Sequence, residues 1–300
     1  MATAVATPRH SEVRRRWRMP WLALATATVF FLGVVAFMLP TIVNWFSQVD
    51  QAAEISELAD GVRDLGAESL QEAIQQAHEY NRTLSGGAVV ASGERVPLAG
   101  EVTSDVSSRE YRDLLAADSS GLMARLRIPG IGVDLPIYHG TSDATLAEGV
   151  GHLEGTSLPV GGESTRSVLT AHRGLASAEL FTNLDRVEVG DTFTIEVFGE
   201  VLTYEVVTTE VVLPEDSKAV YPEIGRDLVT LVTCAPLGIN THRILVTGER
   251  IPPTPAVDVA SAGGPPTIPG FPWWVVVLCV LVIVLAGYVV LSARPRRPTE

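Results

Sequence analysis

Cysteine is scarce in this chain: 300 residues hold two, Cys234 and Cys279. Cys279 sits within an uncharged apolar run, so Cys234 has no partner in a soluble segment, which excludes a disulfide-stapled scaffold. The fold must rest on packing, for which the length is ample. Basic charge is short as well. Lys and Arg number 22 against 35 Asp and Glu, for a net charge of −13. Residues 1–19 hold five Arg and one Glu, and residues 292–300 hold three Arg and one Glu, so the stretch between them carries −19. Phosphate binding needs clustered Lys and Arg, and nucleic acid is therefore excluded as a partner. An acidic, solvated surface accounts for the balance. Metal signals are missing too. His139 and His152 are thirteen residues apart with no cysteine ligand nearby. The acidic residues lack calcium-loop spacing, and no Gly-rich loop ends in Lys-Ser/Thr. No metal and no cofactor are expected.

Two long apolar runs are present, Trp21 to Leu39 and Phe271 to Ser292. Each matches the ~20 residues a helix needs to cross a bilayer. No small-x-small cleavage site follows the first, which continues as PTIVNWFSQVD. It is read as an uncleaved anchor rather than a signal peptide. Arg9, Arg14, Arg15, Arg16 and Arg18 precede the first run, and Arg294, Arg296 and Arg297 follow the second. Positive flanks stay in the cytoplasm. The expectation is a two-pass cell-membrane protein with both termini cytoplasmic and the stretch between the spans outside. Cys234 is then a lone thiol in an exported domain, either partner-seeking or reactive.

The chain divides by texture into a cytoplasmic N-terminus (1–20), a transmembrane helix (21–39), a helical stalk with a lid region (47–121), a β-rich domain (122–250), a Pro/Gly-rich linker (251–270), a second transmembrane helix (271–292) and a cytoplasmic tail (293–300). In the stalk, Ile55, Leu58, Val62 and Leu65, and then Leu70, Ile74 and Ala77, recur at three- and four-residue spacing, which predicts one or two helices. From Leu122 the runs LMARLRIP, VDLPIYHG, RSVLTAH, GDTFTIEVFGEVLTYEVVTTEVVL, LVTLVTC and RILVTGE predict strands, with Phe-Gly-Glu as a hairpin turn. Short helical pieces fit Thr141–Gly149 and Ala178–Leu184. Many short strands with little helix predict a mainly β fold closed into a barrel.

Cys234 ends an apolar strand, because Pro236 and Gly238 force a loop after it. A thiol at a strand end can face a cleft, although free cysteine also packs as a small hydrophobe. Arg243 begins the returning strand, so it approaches Cys234, and its guanidinium can donate to a developing oxyanion or serve only as a surface ion pair. Proton transfer needs a third group. His10 lies before the first span, His78 lies in the stalk, and His242 points to the opposite strand face from Arg243. By position alone His172, His139 and His152 compete.

LVTLVTC, with Thr230, Leu231, Thr233 and Cys234, resembles the Thr-Leu-x-Thr-Cys signature of the sortases, cysteine transpeptidases of Gram-positive cell envelopes. The arginine of the next strand matches Arg243, and the sortase histidine matches His172 within LTAHRG. LPIYHGTS, GVGHLEGTSLPVGGEST, LTAHRGL and CAPLGINTHRILVTGER resemble the pilus-assembling class C branch, densely over residues 122–250. The resemblance implies a sortase-like barrel with Cys234 as nucleophile, His172 as acid/base and Arg243 as oxyanion donor. It implies pilins or surface proteins with Leu-Pro-x-Thr-Gly-like sorting signals as partners, and transfer of the acyl group from a Cys thioester to a pilin lysine. Housekeeping anchoring to a cell-wall precursor is the alternative; hydrolysis by a thiol protease and a non-catalytic sortase-like interaction protein stand further off, the latter disfavoured by the intact triad. The resemblance leaves the substrate-binding residues unassigned. One feature departs from class C. Residues 81–121 contain no Asp-Pro pair, since Asp105, Asp113 and Asp118 lack a following proline, and Tyr111 is the only aromatic. The expectation is a region that covers the cleft loosely or not at all.

Overall fold

The computed structural model describes residues 19–88, 110–116, 120–214 and 220–294. They fall into two compact units, one of residues up to Ile42 together with those from Phe271 onward, the other Val43–Gly270. Helix α1, Trp21–Asp64, runs on past Pro40 for another six turns and more, and α2 follows at Ala67–Ala88. The first apolar run therefore continues as the first stalk helix without a break. Together with the last helix, Trp273–Ser292, α1 is long and apolar enough to cross a membrane.

Eight strands follow: β1 Leu122–Ile128, β2 Val133–His139, β3 Val150–His152, β4 Thr165–Thr170, β5 Thr192–Val197, β6 Glu200–Val212, β7 Asp227–Ala235 and β8 His242–Arg250. They close into a barrel in the order β1-β2-β3-β4-β7-β8-β6-β5. Helix α3, Asp143–Glu148, with Ser142 as its N-cap, fills the connection from β2 to β3, and Leu184–Arg186 forms a 3-10 turn. The mainly β, closed-barrel expectation holds. Phe198 and Gly199, both at positive φ, make the tight turn between β5 and β6, as two-residue hairpins of right-handed twist require. The long apolar-rich run after that turn forms one strand of 13 residues, because it bends through a register shift between Val206 and Thr208 and so stays paired with β8.

Alternation along the strands sends one set of side chains into the barrel. Leu126, Ile137, Leu169, Phe193, Ile195, Tyr204, Leu231 and Val246 share this core and are almost completely buried. Phe193 and Tyr204 stack at 5.4 Å, nearly parallel, against Gly248. A Cβ there would lie 2.5 Å from the Phe193 ring and 3.0 Å from Tyr204 Cβ, so glycine is what lets the rings stack under β8. The stretch 251–270 is held along the barrel wall. Asp258 in helix α4, Ala256–Ser261, accepts from Thr203. The buried Arg125, paired with Asp134 at 2.7 Å, donates to the Gly264 carbonyl, and the Thr267 amide donates to Asp134.

The region 81–121, expected to cover the cleft loosely or not at all, lies largely outside the described residues. Its described residues include the end of α2 and Glu110–Ala116, which begins with a short helical turn and docks through Tyr111. The Tyr111 hydroxyl accepts from the Gly140 amide and lies 2.7 Å from His152 Nδ1, while His152 Nε2 lies 2.9 Å from the Ser157 carbonyl oxygen. Both His139 nitrogens face carbonyl oxygens, of Gly121 and Leu114. Burial pushes the His152 ring from its ordinary 6.5 down to about 4, and pushes His139 down as well.

Two stability predictions follow from this packing. Gly248→Ala overpacks a site with no slack, and a loss of about 1–3 kcal/mol in unfolding free energy is expected by chemical denaturation. Phe193→Leu in the same chain should recover part of it. Because an unfolded chain protonates His152 near 6.5 and the folded one only near 4, stability should fall as pH drops through that window. The full loss is about 3 kcal/mol at the lower end. Denaturation curves taken across pH 7 to 4 test this, and His152→Gln should flatten them, leaving the smaller contribution of His139.

Candidate active site

Three neighbouring strands build the site. β4 and β7 run parallel with Thr170 beside Val232, and the ladder continues one residue further, where the Ala171 amide donates to the Val232 carbonyl. One more step on each strand sets His172 beside Cys234. β7 and β8 run antiparallel, with Cys234 directly opposite Arg243. The imidazole, thiol and guanidinium therefore sit at the same end of three consecutive strands.

They also share a face. Leu169 and Ala171 of β4 and its continuation, Leu231 and Ala235 of β7, and Ile244 and Val246 of β8 point into the barrel core. The alternating residues Val168, Val232 and Leu245 form a separate buried cluster outside the barrel, covered by Val220 and flanked by Leu153 and Val212. Period-two alternation puts His172, Cys234 and Arg243 on this outer face, at its open end. All three are half-buried. The strip on the barrel's outside is thus apolar at one end and carries the thiol, imidazole and guanidinium at the other.

Two threonines of the LVTLVTC run fasten this strip. Thr233 is buried and its hydroxyl donates to the Ala171 carbonyl at 2.8 Å, tying β7 to the residue just before His172. Thr230 accepts from Arg166 at 2.9 Å and meets the Thr247 hydroxyl at 3.1 Å, bracing β4, β7 and β8 together. Arg243 Nη1 donates to the carbonyls of Asn240 and His242, which orients its side chain from the turn between β7 and β8. Beyond His172, Gly174 at positive φ lets Leu237 of that turn lie against the backbone; a Cβ there would fall 2.0 Å from the Leu237 methyl. Phe181 N donates to the His172 carbonyl, and Arg173 pairs with Asp185 at 2.6 Å, so the segment leaving β4 is pinned on both sides.

The histidines that compete by position end up in different surroundings. His139 and His152 are buried, with their ring nitrogens against Gly121, Leu114, Tyr111 and Ser157. His242 pairs with Ala235 on the barrel side of β8. Among the described residues no group of three or more His, Cys, Asp or Glu side chains is arranged to hold a metal ion. Sequence reading missed the braces made by Thr230, Thr233 and Arg166. The threonines were visible as part of a motif, but their partners Ala171, Arg166 and Thr247 lie 17 to 64 residues away.

Comparison with known proteins agrees with this architecture. A family model described as the sortase domain matches residues 126–251. Sortase D of Bacillus subtilis (strain 168) is 32% identical over 130 residues, covering 42% of this chain and 62% of that protein. The chain thus spans just over three fifths of this curated relative. Among solved structures, sortase C1 from Streptococcus agalactiae is 39% identical with a TM-score of 0.61, over 67% of this chain and 100% of that one. Sortase C-1 from Actinomyces oris is 45% identical with a TM-score of 0.56, over 62% of this chain and 99% of that one.

Thr233→Val keeps shape and removes the bond to Ala171, leaving a buried carbonyl without its donor. Unfolding free energy should fall by about 1–3 kcal/mol. Because the lost bond lies between Cys234 and His172, alkylation of Cys234 by iodoacetamide should also change rate, whereas Thr209→Val, on β6, should leave it unaltered.

Proposed function

This chain belongs to the sortase family, and we propose that it is a membrane-anchored class C transpeptidase that polymerises pilins. The observation that carries the reading is the register of β4, β7 and β8, which gathers thiol, imidazole and guanidinium at one end of one face. Two helices long enough to cross a membrane suit an enzyme whose substrates are themselves membrane-borne. Both termini are taken as cytoplasmic, from the arginines that flank the spans.

In this mechanism the Cys234 thiolate attacks the threonine carbonyl of a Leu-Pro-x-Thr-Gly-like signal. Arg243 donates to the oxyanion of the tetrahedral intermediate. Arg243 stands on β8 directly opposite Cys234, with its guanidinium bonded to the carbonyls of Asn240 and His242. His172, as imidazolium, gives a proton to the departing glycine amine, and the C–N bond breaks to leave a thioester on Cys234. A pilin lysine amine then attacks the thioester, His172 takes its proton, and the new amide leaves with the thiolate restored. The electron pairs and the proton balance within the trio, so no cofactor enters.

The reading is tested by incubating the chain in detergent with sorting-signal peptides and weighing the acyl-enzyme. Acylation of Cys234 is expected, and it should vanish in Cys234→Ala with the fold retained. Arg243→Lys keeps charge but loses the planar fork, so kcat/KM should drop at least tenfold, about 1.4 kcal/mol in barrier. Equal rates for the two side chains would remove the oxyanion role. Deleting the gene in its host separates the two acceptors: loss of a high-mass pilin ladder with monomer retained supports polymerisation, whereas an intact ladder with surface proteins released to the medium makes this an anchoring enzyme.

A further inference from the structure

We propose that Arg173 is a positioning residue for His172: its guanidinium closes the loop that follows β4 and so fixes where the imidazole stands beside Cys234. The inference rests on the sortase reading above and adds a residue to its proton-transfer step.

Among the described residues no hydrogen bond holds the His172 ring. An acid/base imidazole is commonly oriented by a third group bonded to its other nitrogen. Without such a group, the ring takes its place from its own backbone. On the N-terminal side that backbone is tied to β7. The Ala171 amide donates to the Val232 carbonyl, and Thr233 donates to the Ala171 carbonyl. On the C-terminal side the chain leaves the sheet, and strand pairing no longer holds it.

Arg173 takes over there. The chain comes back past His172 at Phe181 and Thr182. The Phe181 amide donates to the His172 carbonyl at 3.1 Å. Arg173 Nε donates to the Thr182 carbonyl at 3.1 Å, and the Gly174 amide donates to the Thr182 hydroxyl at 3.1 Å. Arg173 Nη2 then pairs at 2.6 Å with Asp185 in the 3-10 turn. Three successive residues from His172 are thus bonded across the loop, and the Arg173 side chain makes two of the links. The far side of the loop is firm, because Ala178, Leu180, Phe181 and Leu184 are buried in the barrel core. Arg173 therefore ties the His172 backbone to the core.

The Arg173 side chain is 10% exposed and Asp185 is 46% exposed. Solvent screens the attraction between them, so the charge itself contributes little. Keeping a guanidinium so nearly buried is nevertheless costly. What the loop gains is direction, from a planar fork whose donors point two ways at fixed angles. Direction matters at this place. A displacement of about 1 Å at a reacting group can slow a reaction about a hundredfold.

The test compares the full chain in detergent with Arg173→Met, Arg173→Lys and Asp185→Asn. Acylation of Cys234 is followed by mass with two donors. One is a Leu-Pro-x-Thr-Gly peptide, whose leaving amine needs the His172 proton. The other is the same peptide ending in a threonine thioester. Cys234 attacks its carbonyl, the peptide's C–S bond breaks, and the electron pair leaves as a thiolate that needs no proton. For Arg173→Met the expected result is a maximal acylation rate about ten- to hundredfold lower with the amide, at unchanged KM. The thioester should react at close to the parent rate. Arg173→Lys, which keeps charge but not the fork, should stay nearer to Arg173→Met than to the parent. Asp185→Asn, at an exposed position that leaves the fold intact, should show a smaller loss confined to the amide. Equal losses with both donors would mark general damage and overturn the proposal. So would parent-like amide rates in both Arg173→Lys and Asp185→Asn. If the parent chain is acylated by neither donor, the sortase reading fails first. If the parent is acylated and the variants match it, that reading stands and only this assignment falls.

Discussion

The parallel pairing of β4 with β7 is the constraint on which the rest of the site depends. Parallel neighbours cannot be joined by a tight turn, and here the chain leaves β4, builds β5 and β6, and only then returns as β7. That detour brings LTAHRG and LVTLVTC side by side with their ends aligned, although 61 residues separate His172 from Ala171's hydrogen-bond partner Thr233. A register slip of one residue would turn His172 and Cys234 to opposite faces. The Thr170–Val232 register and the Thr233–Ala171 bond guard against that slip from within the buried layer.

Because Cys234, His172 and Arg243 lie outside the barrel, the main core does not have to accommodate them. Phe193, Tyr204 and the aliphatic side chains around them fill the interior, while a second, small cluster of Val168, Val220, Val232 and Leu245 stabilises the outer strip. The half-buried polar end of the strip is thereby separated from the packing that stabilises the fold. Arg166, Thr230 and Thr247 sit where the two layers meet the covering segment. Their polar atoms satisfy one another in a place where an unpaired group would be expensive.

Charge is used in the same economical way elsewhere. Arg125 is almost fully buried and bound to Asp134, and the pair anchors the stretch that leads toward the last helix. The docking of Glu110–Ala116 relies instead on a tyrosine set between the rings of His139 and His152. These attachments are specific because their polar groups have partners at hydrogen-bond distance in defined directions, as at Tyr111 and Asp134.

Local patterning was enough to mark the two apolar spans, the run of short strands and the strand-end position of Cys234, because period and turn chemistry act over a few residues. The motif around Cys234 and the run LTAHRG also gave a family resemblance and with it the choice of His172 over His139 and His152. Position in the chain alone did not separate these histidines, since what distinguishes them is burial and the carbonyls around their rings. The braces Thr233–Ala171 and Arg166–Thr230–Glu223, the docking of Tyr111, and the fastening of residues 251–270 to the barrel were decided by tertiary structure. Each joins residues whose separation along the chain carries no periodic signal. Their meeting follows only from the closure of the barrel, which fixes strand neighbours and register together and so turns distant side chains into partners.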